Sequence, residues 1–202
     1  MPLIHPELSP SRPQRPPAPP QGCSGPSTPS PPAPPPPTAP PPSPSALALP
    51  PRPLELRLDE VNPCTLLTDS QRAALGVSAG ITDTSTDELG NPGCLWNSTN
   101  ARPDDSWIAK TITKRGAEYA LGSVTSTKVV DIGGFPAVQT ATAYGDPAHE
   151  CLLFVDVALG QSLQVEYLNQ RGDHPGISHE TACQLATTAA TDMVTRLRSG
   201  PK

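Results

Sequence analysis

From residue 54 onward the apolar positions recur with two different periods. Cys151, Leu153, Val155 and Val157 alternate with their neighbours, and Leu163, Val165 and Tyr167 alternate again after Gly160-Gln161. A period of two puts each set on one face of a strand, so this stretch predicts a hairpin turning at Gly160-Gln161. Leu152 and Phe154 add apolar weight to its opposite face. Between about 178 and 198 the period becomes helical, through Ala182, Leu185, Ala186, Ala189, Met193 and Leu197. Arg196 and Arg198 suit the C-terminal end of that helix dipole. Near the start, Asn62-Pro63-Cys64 opens a helix: asparagine is a good cap and proline is tolerated in the first turn. Leu66, Leu67, Ala74 and Leu75 give that helix its stripe, and Gly76 ends it.

The middle is read more coarsely. Residues 78–93 are polar and glycine-bearing, which predicts a loop. Cys94-Leu95-Trp96 starts a strand, and 107–113 alternates as another. Tyr119 and Leu121 fall on a short helical turn. Residues 124–132 lead through a Gly133-Gly134 turn into 135–144. The order is helix, antiparallel strands, helix. It predicts a single α+β domain over 54–202, a curved antiparallel sheet of about five strands with an N-terminal and a C-terminal helix packed on one face.

Residues 1–53 follow neither period. They hold 23 of the 30 prolines and are otherwise mainly Ser, Ala, Thr and Gln. Proline fixes φ and removes a donor, so neither helix nor central strand runs through 31–37. The apolar area is too small to offset ordering entropy, which predicts a disordered tail rich in polyproline II. At roughly 3.1 Å per residue, residues 24–53 reach about 90 Å when straight. Such a segment serves as a spacer, a tether or a PxxP ligand for an SH3-like groove.

Charge narrows the partners. Residues 54–202 carry 11 basic and 18 acidic side chains, a net of −7. Nucleic-acid binding needs a basic footprint, and docking on anionic lipid needs one too; neither is expected. No run of eighteen apolar residues exists, so membrane contact is expected through a lipid anchor alone.

The same region holds four cysteines, Cys64, Cys94, Cys151 and Cys183. An even count fits disulfides formed in an oxidising compartment, although free thiols satisfy it too. Structural zinc favours close CxxC pairs, which are lacking. Of the three pairings, Cys64–Cys94 with Cys151–Cys183 is preferred, because each closes a loop of about thirty residues between a helix and a strand.

Catalytic candidates are sparse. His149-Glu150, Asp173-His174 and His179-Glu180 place imidazoles beside carboxylates, types that serve general acid/base chemistry or bind metal. No HExxH or GxSxG accompanies them, and Gly133-Gly134 lacks a following GK[ST]. The expectation is therefore no catalytic, cofactor or metal site. A hydrolase or metal-dependent enzyme using His149, Asp173, His174 and His179 is the alternative. Trp96 and Trp107 are read as core residues.

Gly22-Cys23-Ser24-Gly25 stands just before the long Pro/Ser run and looks like the mature start of a bacterial lipoprotein, with lipid on Cys23. Residues 1–22 hold no apolar run of the 7–15 residues that an export signal needs. Either the start is misassigned, which is the preferred reading, or Cys23 is an ordinary thiol. The downstream pieces resemble the actinobacterial cell-envelope lipoprotein family called domain of unknown function 3558. They are Asn62-Pro63-Cys64-Thr65-Leu66-Leu67, Cys94-Leu95-Trp96, Ile132-Gly133-Gly134-Phe135-Pro136-Ala137, the strand after Cys151, and Cys183-Gln184-Leu185-Ala186. The resemblance implies export, lipid attachment at Cys23 and no established activity. The expected role is a membrane-tethered, extracytoplasmic binding module for an envelope protein, a glycan or a small apolar ligand.

Overall fold

A computed structural model describes residues 48–83, 90–100, 104–123, 127–140, 149–170 and 177–200. Cys23, Asp173, His174 and nearly all of the proline-rich segment lie outside the described residues. Seven antiparallel strands form one sheet: β1 (Ile81–Asp83), β2 (Gly93–Asn97), β3 (Asp105–Ile112), β4 (Lys128–Ile132), β5 (Phe135–Thr140), β6 (Glu150–Ala158) and β7 (Gln161–Asn169). Their spatial order is β1-β2-β3-β7-β6-β5-β4. Two meanders therefore meet where β3 pairs with β7. Among the described residues, three helices complete the α+β fold: α1 (Asp69–Leu75), α2 (Ala120–Ser123) and α3 (His179–Arg198).

The strand count corrects the expected five. β1 was hidden in a polar stretch of 78–93 and is only three residues long. Its ladder to β2, Ile81↔Leu95 through Asp83↔Gly93, sustains it where alternation is too short to show.

The N-terminal helix is also corrected. Asn62 accepts from the Cys64 amide and caps a 3₁₀ turn, Pro63–Thr65, which then stops. A fresh helix, α1, begins after Thr68, whose side chain and that of Gln71 cap each other's backbone amides. Gly76, at φ 67°, closes it in the left-handed region. Leu66 and Leu67, expected on the helix stripe, are buried in the link instead. α1 itself fully buries no residue, and its Leu75 packs partly buried against the core.

The cover over the sheet comes from α3. Ser178 caps it by accepting from Thr181, and Ala182, Ala186, Ala189, Ala190 and Met193 face the sheet fully buried. Small residues bring the helix axis close. Beneath it lie Cys151, Leu153, Val155, Leu163, Val165 and Tyr167, each 0% exposed. Trp107 meets Tyr167 edge-on at 5.1 Å and donates to the Leu185 carbonyl of α3 at 3.4 Å. Trp96 and Trp107 are core residues, as their apolar settings suggested. At the far end Arg198 donates to the Gly133 carbonyl at 2.8 Å, anchoring α3 to the β4–β5 turn.

The β6–β7 turn is Leu159-Gly160, one residue earlier than expected, with Gly160 at φ 68°. The register shifts between Asp156↔Ser162 and Ala158↔Gln161. The bulged stretch is buried on both faces, with Val155, Val157 and Ala158 at 0% exposure and Asp156 at 6%. The incoming chain is fastened to this end of the sheet. Leu56 donates to the Val157 carbonyl, Leu58 donates to the Gln161 side chain, and Arg52 grips both oxygens of Asp156 at 2.7 Å. Burial raises the Asp156 carboxyl above its ordinary value despite that cation.

A polar cleft at the head of the last helix

Both disulfides are present. Cys64–Cys94 ties the 3₁₀ turn to β2, and Cys151–Cys183 ties β6 to the first turns of α3. The second fixes one flank of that helix over the β4–β5 end of the sheet. A cleft of about 410 Å³ opens there, lined by Lys128, Gln139, His179, Glu180, Gln184 and Thr187, with Cys183 beside them.

The lining follows from two periodicities. Glu180, Gln184 and Thr187 are spaced by four and three on α3, and His179 and Cys183 by four, so they share a flank. On β5, Phe135, Ala137 and Gln139 share the inward face. The first two are core residues, and Gln139 is a carboxamide at the same parity, 7% exposed. Lys128 lies directly opposite it on β4. Neither residue stood out in the sequence. A polar side chain at a core-parity position of β5 was the available signal.

His179 has a structural occupation. Its Nδ1 donates to the Glu150 carbonyl at 2.9 Å, and its Nε2 lies 3.5 Å from Cys183 Sγ. The imidazole thereby links the start of α3 to the start of β6, where His149 immediately precedes Glu150. Of the four expected acid/base residues, the structure sets His149 and His179 near this junction. Asp173 and His174 fall outside the described residues. Among the described residues no three His, Cys, Asp or Glu side chains form a metal-holding group. With the sulfur bridged and the His179 Nδ1–H donated to the Glu150 carbonyl, the lining presents amides, an ammonium, a hydroxyl and a carboxylate. These groups can donate and accept hydrogen bonds.

The opposite face of the sheet carries a second polar feature. Glu166 on β7 stands between Leu152 of β6 and Ile108 of β3. Burial first, then its hydrogen bond and repulsion with Glu150, push the Glu166 carboxyl up to about 8, while Lys110 opposes the rise. Lys110 in turn lies 4.0 Å from Asp83 of β1. Glu150 was noticed in the sequence only as a neighbour of His149. The pairing with Glu166 depends on the hairpin register, which a turn placed one residue late does not reproduce.

The chain matches, over residues 21–196, the family described as Protein of unknown function (DUF3558). No curated protein and no solved structure matches it.

Proposed function

The chain belongs to this family of proteins of unknown function, and from that premise we propose that it is an exported binding module, anchored to a membrane through lipid on Cys23. The family match begins two residues before Cys23 and runs through the proline-rich segment and the folded body. The two disulfides are compatible with an extracytoplasmic location. Among the described residues no helix is long and apolar enough to cross a membrane, so a lipid would supply the attachment.

The observation that carries the binding role is the cleft beside α3. Its walls are a bridged helix flank and two paired strands, which preorganises its polar groups. The lining favours a polar ligand over the small apolar one considered from sequence. The hydrolase alternative needs His149, Asp173, His174 and His179 to converge, and the His179 Nδ1–H is already donated to the Glu150 carbonyl, joining α3 to β6.

Two measurements test this. Intact mass and peptide mapping of the native protein, without reduction, should show an acylated Cys23 and both bridges. An unmodified Cys23 sinks the anchor; four free core thiols sink the export. Assays of the full chain on chromogenic esters, amides and glycosides should give no turnover. Turnover abolished by His179→Ala would replace the binding role with the hydrolase.

A further inference from the structure

The Cys151–Cys183 bridge has two unlike ends. Cys151 is 0% exposed beneath α3, whereas Cys183, at 5%, borders the cleft of about 410 Å³. The bridge is therefore approached from the Cys183 side. A helical side chain leans over the preceding turn, so Cys183 meets the residue four before it, His179. The Cys183 Sγ lies 3.5 Å from His179 Nε2. A carbonyl oxygen only accepts, so the bond to Glu150 keeps the proton of the neutral ring on Nδ1. Nε2 is left with its lone pair, a base held against a sulfur. A bridged sulfur has no proton to give, so this base finds its acid when the bridge opens. The other bridge is built differently. Cys64 stands on a 3₁₀ turn and Cys94 on β2, and Cys94 Sγ packs so close to Gly80 that a Cβ there would overlap it.

We propose that Cys183 is a thiol–disulfide exchange site, at which a low-molecular-weight thiol entering the cleft is held as a mixed disulfide. The incoming thiolate forms a bond to Cys183 Sγ. The Cys151–Cys183 bond breaks, and its electron pair leaves on Cys151, which takes a proton from solvent. In reverse, Cys151 attacks Cys183, expels the thiol and restores the bridge. A second external thiolate, attacking the carried sulfur, leaves with it as a disulfide and frees Cys183. The freed thiolate is then paired with a proton held on Nε2, an arrangement that keeps a cysteine reactive. Lys128 from β4 and Glu180 from α3, of opposite sign, share the cleft with this pair, while the Glu150 carboxyl is bonded to Glu166 on the other face. His179 is the positioning base and Cys151 the resolving sulfur. The exchange stands apart from whatever else the cleft binds.

Reduced glutathione is the probe, applied to the full-length chain in its native fold, with acid quenching and peptide mapping. Glutathione should appear on Cys183 with a free thiol at Cys151, at least about tenfold faster than the Cys64–Cys94 bridge opens. An adduct first on Cys151, Cys64 or Cys94, equal opening of both bridges, or no adduct without denaturant overturns the proposal. The role of His179 is read in Cys151→Ala, which leaves Cys183 a free thiol. Adding His179→Asn keeps an N–H for the Glu150 carbonyl and removes Nε2. Iodoacetamide reacts with thiolate, so this change should slow alkylation of Cys183 at least about tenfold at pH 6.5. It should leave the rate within about twofold at pH 9.5, where an ordinary thiol ionises unaided. Equal slowing at both pH values would mean that the histidine only shapes the cleft, and it overturns the base. Equal rates at pH 6.5 overturn it as well.

Discussion

Leu152 and Leu153 are adjacent on β6 but belong to different environments. Leu153 points under α3 and is 0% exposed, along with Cys151, Val155, Leu163 and Val165. Leu152 points to the other face, where Phe154, Gln164, Glu166 and Leu168 stay half-buried. Among the described residues, the short helical turn from Ala117 to Ser123 packs against one end of β5–β7, and the Arg115 carbonyl just before it accepts from Ser162. One face is thus dry and jigsaw-packed. The other mixes leucines with carboxyl groups and keeps partial contact with water. The first should carry stability and the second should tolerate change.

Paired truncations separate the two faces most strongly. Leu153→Ala should cost roughly 2–5 kcal/mol, since it removes buried methyl groups and leaves a cavity under a helix that is bridged in place. Leu152→Ala should cost about 1 kcal/mol or less, because part of its surface is already solvated. Urea unfolding with the disulfides intact, at unchanged m-value, reads both. Comparable losses would mean that the outer face is a second core.

The two bridges offer a finer cut through the same contrast. Their half-cystines are 30 and 32 residues apart, so chain entropy assigns each a similar contribution of about 3 kcal/mol. The consequences should differ in place. Cys151→Ala with Cys183→Ala releases the head of α3 from the inner face; Cys64→Ala with Cys94→Ala releases the link before α1 from β2. Amide exchange across 180–187 should accelerate in the first pair and stay near the wild-type rate in the second. Acceleration in both would show that α3 is held by the fold as a whole and not by its own bridge.

The contrast also explains what was legible beforehand. The inner face obeys simple periods, so the β6–β7 core residues, the α3 stripe and the preferred cysteine pairing could be read from spacing. The N-terminal helix misled because Leu66 and Leu67 mimic a helical stripe, whereas the Thr68–Gln71 capping pair restarts the chain one turn later. β1 carries too few residues for any period. The outer face and the cleft were opaque for another reason: both depend on register. A turn at Gly160-Gln161 would set Val155 opposite Glu166, whereas the actual ladder sets Leu163 opposite Val155 and Leu152 opposite Glu166. Gln139 becomes meaningful once β5 is known to lie beneath the flank of α3.

The smallest expected effect concerns Glu166 and depends on pH. Its carboxyl titrates near 8 in the fold and near the ordinary 4.5 in the unfolded chain. Between those values the native state holds a proton that the unfolded state has lost. The stabilisation is therefore complete below about pH 4.5 and disappears as pH rises through 8. The groups facing it are Glu150 from β6, Lys110 from β3 and Asp83 from β1. Glu166→Gln replaces a neutral acid by a neutral amide at low pH, so the two proteins should have nearly equal stability at pH 5. At pH 8.5 the variant should be the more stable by on the order of 1–3 kcal/mol, since it avoids a second negative charge beside Glu150 on a half-buried face. Urea midpoints of both proteins from pH 5 to 8.5 measure the difference. A gap that stays constant, or that favours the wild type as pH rises, would show that the outer face is wet enough to ionise freely and that its carboxyl pair shares no proton.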